Sequence, residues 1–274
     1  MFADVTSANI VGYQNKELAK DVWSAHCSSF QKIDKTQMKL IDIKANDAFY
    51  LSFLQLVDEN AVTKKVRSEV FGDPADDYMV DGVFYWYPEE YLIPGMEEEG
   101  WYLYESEEKF ECMNHVDLSF GEGFCIYGQD DGAEVRFAGQ VASADDLTFE
   151  VVNEIWNSFG NCTPVDITLG QLKANDIFYL SFLQLVSDEG TTLKVRSEVF
   201  GDPADDYMVD GVFYWYPAEY LVPGMEEEGW YLYESEEKFE CMNHIQIGAG
   251  EGFVVYGQDD GATVTIPDPL AKAE

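Results

Sequence analysis

The sequence predicts an all-β protein of two tandem homologous β-sandwich-like domains, and three observations carry that prediction. Lys65–His115 recurs as Lys194–His244 with only two substitutions, Glu89/Ala218 and Ile93/Val222. The match continues without a gap at a constant offset of 129 from Lys44/Lys173 to Ala133/Ala262, which marks a tandem duplication. Between turns rich in Gly, Pro and Asp, short apolar runs recur at roughly 8–12-residue intervals, the spacing of a sandwich or barrel. Almost no stretch keeps a helical period over eleven or so residues. The expected domains are residues 1–139, with an N-terminal extension strand, and residues 140–274, with a short tail that frays after Pro267.

Residues 4–13, D-V-T-S-A-N-I-V-G-Y, have no gapless counterpart ahead of the second repeat. Within them Ile10, Val11 and Tyr13 suit a short strand. Two readings stand for it. It is an edge strand of its own domain, or it is lent to a neighbouring subunit, because strand addition satisfies the backbone groups of an open sheet edge. Glu17 to Val22 reads as one or two helical turns. Trp23 to Ile33 and Met38 to Ile43 then resume short apolar runs.

Phe49 to Val57, copied as Phe178 to Val186, is apolar on nearly both faces, as a strand covered on two sides would be. Val66, Ser68 and Val70 alternate with Arg67 and Glu69, a half-exposed strand that Gly72 to Asp77 breaks as a loop. Asp81-Gly82 between Tyr78–Val80 and Val83–Tyr87 predicts a hairpin, since a type I′ turn needs positive φ at both central residues. Pro88 ends the second arm because it has no N–H for the ladder. After a turn at Pro94-Gly95 come the strands Gly100–Tyr104, Val116–Leu118, Phe124–Tyr127 and Val135–Phe137, with Asp131-Gly132 turning between the last two. Ala138 to Asp146, small and polar, reads as the linker.

Charge narrows the classes of partner. The chain carries 53 acidic and 16 basic residues, a net −37. Such a surface repels nucleic acid and anionic lipid. It suits divalent cations, a basic partner, or simple solvation in a salty extracellular medium. At 46% hydrophobic residues the chain can still fill two cores. No apolar run approaches the roughly 20 residues that span a bilayer. Met1-Phe2-Ala3-Asp4 reads as the stump of a cleaved leader, because Ala3 suits the last position before the cut. That predicts an extracellular or cell-surface location.

Candidate sites follow from the same residues. Asp73, Asp76, Asp77 and Asp81 recur as Asp202, Asp205, Asp206 and Asp210. Clustered loop carboxylates supply the hard oxygens calcium wants, although the spacing is not that of an EF-hand. The same aspartates also serve plain turn and cap chemistry. Trp86 and Trp101, with their copies Trp215 and Trp230, lie in aromatic strands. One reading turns them outward to stack on sugar rings or pack on another subunit, and the other buries them between two sheets.

Of five cysteines, the economical pairing is Cys27–Cys112 and Cys162–Cys241, which leaves Cys125 over; buried thiols are the alternative. His26, His115 and His244 stand apart, with no H-E-x-x-H and no G-x-S-x-G. The reading is non-enzymatic, with calcium as the one candidate ion.

The opening D-V-T-S-A-N-I-V-G-Y resembles the mature start of a family of secreted bacterial two-repeat β-proteins of the planctomycete–verrucomicrobial group. Gly121-Glu-Gly-Phe, Ala133-Glu-Val-Arg-Phe-Ala-Gly-Gln-Val and Thr163-Pro-Val-Asp-Ile-Thr are similar to that family's two-repeat layout. The central acidic-aromatic block has no match in it. The resemblance implies export and β-structure, and it brings no catalytic residue. The expected function is a structural protein that self-assembles at the cell surface or into an extracellular filament, with exchange of the N-terminal strand as one route. The alternative is a tandem carbohydrate-binding module that holds structural calcium, with polysaccharide as partner.

Overall fold

The computed structural model describes residues 11–18, 20, 22–46, 50–52, 83–106, 109–128, 132–153, 156–175, 179–181, 212–235, 238–257 and 261–271, and the statements below concern these. The chain is all-β. The first half contains β1 (Val11–Glu17), β2 (Val22–Cys27), β3 (Met38–Lys39), β4 (Lys44–Asn46), β5 (Tyr50–Ser52), β6 (Val83–Tyr87), β7 (Gly100–Ser106), β8 (Lys109–Cys112), β9 (Asp117–Leu118), β10 (Gly123–Gly128) and β11 (Glu134–Gln140). The second half contains β12 (Thr148–Glu150), β13 (Trp156–Gly160), β14 (Ile167–Thr168), β15 (Lys173–Asn175), β16 (Tyr179–Ser181), β17 (Val212–Tyr216), β18 (Gly229–Ser235), β19 (Lys238–Cys241), β20 (Gln246–Ile247), β21 (Gly252–Tyr256) and β22 (Thr263–Thr265).

Strand order repeats with the sequence. A six-stranded antiparallel sheet runs β2-β10-β5-β6-β7-β8 in the first half and β13-β21-β16-β17-β18-β19 in the second. Three-stranded sheets run β1-β11-β4 and β12-β22-β15, and two-stranded ladders join β3 to β9 and β14 to β20. Alternation along each strand turns one apolar face inward, so the larger and smaller sheets share one core. In the first half Phe84, Trp86, Trp101, Phe124, Ile126, Val135 and Phe137 lie in that core, and the Phe124 and Phe137 rings meet across the two sheets at 6.1 Å. The second core repeats it with Phe213, Trp215, Trp230, Phe253, Val255 and Val264.

Several expectations are corrected here. The described residues of Glu17 to Val22 are not helical: Glu17 ends β1, Lys20 forms a bridge with Gly128 and Val22 starts β2. The linker is shorter than predicted, because Ala138 to Gln140 complete β11 and only then does a 3₁₀ turn, Ala144–Asp146, begin. Only the end of β1 has a counterpart: Asn15–Glu17 match Thr148–Glu150 of β12, and Val11–Gln14 extend beyond it as the sequence led one to expect. Leu18 N–H donates to Ala133 O just as Val151 N–H donates to Ala262 O, so the end of β1 corresponds to β12. The equivalence escapes a gapless comparison because ten residues join β2 to β3 while six join β13 to β14. Phe49 and residues 53–57 of the expected core strand, the Tyr78–Val80 strand and the Asp81-Gly82 turn lie outside the described residues, as do their copies.

The halves meet along a seam whose backbone contacts come in reciprocal pairs. Cys27 N–H donates to Gly250 O at 2.9 Å, and the equivalent Gly160 N–H donates to Gly121 O at 3.1 Å. Bridges join His26 to Glu251 and, reciprocally, Phe159 to Glu122. A Cβ on Gly123 would lie 2.4 Å from Phe159 O, and one on Gly252 would lie 2.8 Å from His26 N, so glycine at both positions permits the backbones to touch. When residue i contacts j and the equivalent of j contacts the equivalent of i, the interface is isologous and closes on itself.

Candidate functional site

The near-identical block folds into the same side-chain construction twice. Trp86 of β6 stands opposite Trp101 of β7, with ring centroids 5.3 Å apart. Trp101 Nε1–H donates to Ile43 O at 3.0 Å, and its backbone N–H donates to Asn114 Oδ1 at 3.0 Å. Asn114 Nδ2 in turn donates to Glu98 Oε1 and to Glu99 O, each at 3.1 Å, and the Tyr102 hydroxyl donates to Glu98 O at 2.6 Å. The Glu97–Glu99 turn is therefore held from beneath by buried groups. Lys44 closes it, 2.9 Å from Glu99 Oε1 and 5.4 Å from the centre of the Trp86 ring.

The second copy keeps each feature: Trp215 and Trp230 at 5.3 Å, Trp230 Nε1–H to Leu172 O at 2.9 Å, Asn243 to Glu227 Oε1 at 3.1 Å, Lys173 to Glu228 at 2.9 Å. Desolvation raises the Tyr102 and Tyr231 hydroxyls above the ordinary tyrosine range, so both remain protonated donors.

The outward reading of the four tryptophans is corrected. Trp86 and Trp215 are 4% exposed, and Trp101 and Trp230 are 0% exposed. Each occupies the strand face turned toward the three-stranded sheet, where an indole fills the space between the layers. Among the described residues of the repeated block, aromatics that face solvent are Tyr91 and Tyr220, 63% and 66% exposed, on equivalent 3₁₀ turns entered from Pro88 and Pro217. Ile93 and Val222 stand exposed two residues on. Both substitutions within the block thus flank an exposed tyrosine that is itself retained. That tyrosine was legible only as one aromatic among many.

Val11 and Tyr13 lie on the exposed face of β1, with Tyr13 79% exposed; Ile10 lies outside the described residues. β1 ladders with β11 of its own half over seven residue pairs, Val11↔Gln140 to Glu17↔Glu134. Asp73, Asp76, Asp77, Asp81, Asp202, Asp205, Asp206 and Asp210 also lie outside the described residues. Among the described residues no group of three or more His, Cys, Asp or Glu could hold a metal ion.

The proposed disulfides are contradicted by the sheet order. Cys27 is on the first strand of its six-stranded sheet and Cys112 on the last, five strands away, or roughly 24 Å at ordinary strand spacing. Cys162, two residues past β13, and Cys241 on β19 are separated in the same way. A disulfide needs Cα atoms within about 7 Å. Sequence symmetry misled, because Cys27 is equivalent to Gly160 and not to Cys162.

Cys27 and Cys162 instead lie together in the second core, both 0% exposed, and burial pushes both thiols up. A thiol reagent added to the native chain should label Cys112 and Cys241 first, and Cys27, Cys125 and Cys162 only after unfolding. A count of fewer than four thiols in the unfolded, unreduced chain would contradict this.

A buried histidine also sits at the seam. His26 Nε2 is 2.7 Å from Ser24 Oγ. Burial, helped by the nearby Lys16 charge, pulls its imidazole down to about 3, so it is neutral at physiological pH.

The fold and these faces define the class: an all-β chain of duplicated plan that presents two equivalent acidic turns, each with an exposed tyrosine. Comparison with protein-family models, curated proteins and solved structures returned no match.

Proposed function

We propose that the chain is an exported, non-enzymatic structural protein that self-associates through its duplicated faces. The observation that carries this is the retention of one arrangement in both halves. It comprises a braced acidic turn and, in the same strand connection, an exposed tyrosine and an exposed β-branched residue, at Tyr91/Ile93 and again at Tyr220/Val222. A single chain therefore offers two equivalent contacts, and two weak contacts on one body act together through effective concentration. Because one chain carries two of these faces, association through both need not stop at a pair. Exposed apolar side chains rimmed by polar ones are the usual mark of such contacts.

The N-terminal strand supports the same reading in a modified form. Exchange of β1 would have to open its seven-residue ladder, whereas addition of a strand to its outer edge opens nothing. Among the described residues β1 is the end strand of its sheet.

The test is light scattering on a concentration series of the full chain, with Tyr91→Ser/Tyr220→Ser and a deletion of residues 1–13 alongside. Mass rising with concentration, and falling to that of one chain in the double substitution, is the expected result. A wild-type chain that stays monomeric throughout would count against assembly and favour the carbohydrate-binding alternative.

A further inference from the structure

The outer face of the sheet β1-β11-β4 carries a depression of about 490 Å³ that shares only Lys44 with the braced turn. Register places its lining. Asn15 pairs with Arg136 and Arg136 with Lys44, so three long polar side chains form one row across the three strands. Tyr13, on the same face of β1, stands opposite Ala138. The small alanine leaves the ring uncovered, and Tyr13 is 79% exposed. Asp42 completes the rim with a carboxylate.

The charges in this depression are matched. Lys44 is 2.9 Å from Glu99, Asp42 is 3.0 Å from Lys32, and Arg136 is 3.7 Å from Glu134. The site thus offers an open aromatic face, several N–H donors and carboxylate acceptors with little net charge. A volume of this size is that of an ordinary ligand pocket.

The feature also breaks the symmetry of the molecule. The corresponding row in the second half is Thr148–Thr265–Lys173, with no arginine. Halves that agree nearly everywhere in their central block differ at this row.

We infer that the depression over Tyr13, Asn15, Lys44 and Arg136 binds a neutral sugar residue of a polysaccharide. The apolar face of the pyranose lies on the Tyr13 ring, as apolar C–H surface does on aromatic faces. Its hydroxyls accept hydrogen bonds from Asn15, Lys44 and Arg136 and donate to Asp42. A polyanion is disfavoured, because the cations already have partners and the chain as a whole carries −37. One such site per chain would tether the protein to a glycan while leaving the duplicated faces unoccupied, and it does not depend on assembly.

The test is affinity electrophoresis of the full chain through gels that contain a soluble β-glucan, a xylan, a galactomannan or, as the anionic arm, alginate. Tyr13→Ala and Arg136→Thr, which installs the residue of the second half, are compared with Tyr91→Ala, and circular dichroism confirms that each variant folds. Retardation by at least one neutral polymer, weakened about tenfold by Tyr13→Ala and unchanged by Tyr91→Ala, is the expected outcome; tenfold corresponds to about 1.4 kcal/mol. No retardation by any neutral polymer, retardation by alginate alone, or retardation that survives Tyr13→Ala would each overturn the inference.

Discussion

Trp101→Ala is expected to cost the first half about 3–5 kcal/mol of stability, the usual toll of truncating a fully buried indole. The ring is 0% exposed and lies edge-on to Trp86, and its N–H satisfies the Ile43 carbonyl. Alanine would leave a cavity between the sheets together with a buried acceptor that has lost its donor. Trp230→Ala should cost the second half a similar amount, since its N–H meets Leu172 O in the same way. The two tryptophans lie in separate cores, so the double variant should be additive to within about 0.5 kcal/mol. Urea unfolding measures this, with Tyr91→Ala as the surface comparison at about 0.5 kcal/mol or less. A Trp101→Ala midpoint no lower than that of Tyr91→Ala would place the ring outside the core.

Acid is expected to weaken the seam through His26. Its folded-state value, about 3, lies below the 6.5 of an unfolded histidine. In that window the unfolded chain takes up a proton that the folded chain refuses. The histidine's contribution to stability is complete above about pH 6.5 and is lost progressively as pH falls toward 3. The loss is on the order of 4 kcal/mol at the bottom of the window, as an upper figure.

His26→Phe, which installs the residue the second half carries at Phe159, removes that proton site. The difference in unfolding free energy between variant and wild type should therefore grow in the variant's favour from pH 7 to pH 4. A difference that stays flat with pH would mean that His26 ionises freely in the folded chain. Using the difference removes the carboxylate titrations, which both proteins share.

Much of this fold is written in the sequence because strand periodicity and turn chemistry are local. Val83–Tyr87 ends at Pro88 as Pro must end a ladder, and Gly132, in a turn, takes positive φ. The duplication carried that reading to the second half without further assumption. Three things were not legible, each because it depends on contacts distant in the chain. Strand order separates Cys27 from Cys112, and nothing in their spacing reveals that β10 and β5 intervene. The inward direction of Trp86 and Trp101 depends on which face the three-stranded sheet covers. The row Asn15–Arg136–Lys44 joins residues far apart in sequence and exists only once β11 lies between β1 and β4. A gapless comparison also concealed β12 as the partner of β1, and the four-residue difference in the loops after β2 and β13 is the cause.

In the proposed function two equivalent faces on one chain drive association. The most direct measurement is sedimentation velocity of the wild-type chain over a hundredfold concentration range, with and without Tyr91→Ser/Tyr220→Ser. Species that grow with concentration and disappear in the double variant, with intermediate behaviour in either single one, are expected. A single boundary of one-chain mass at every concentration, or growth that is indifferent to both tyrosines, would contradict that proposal.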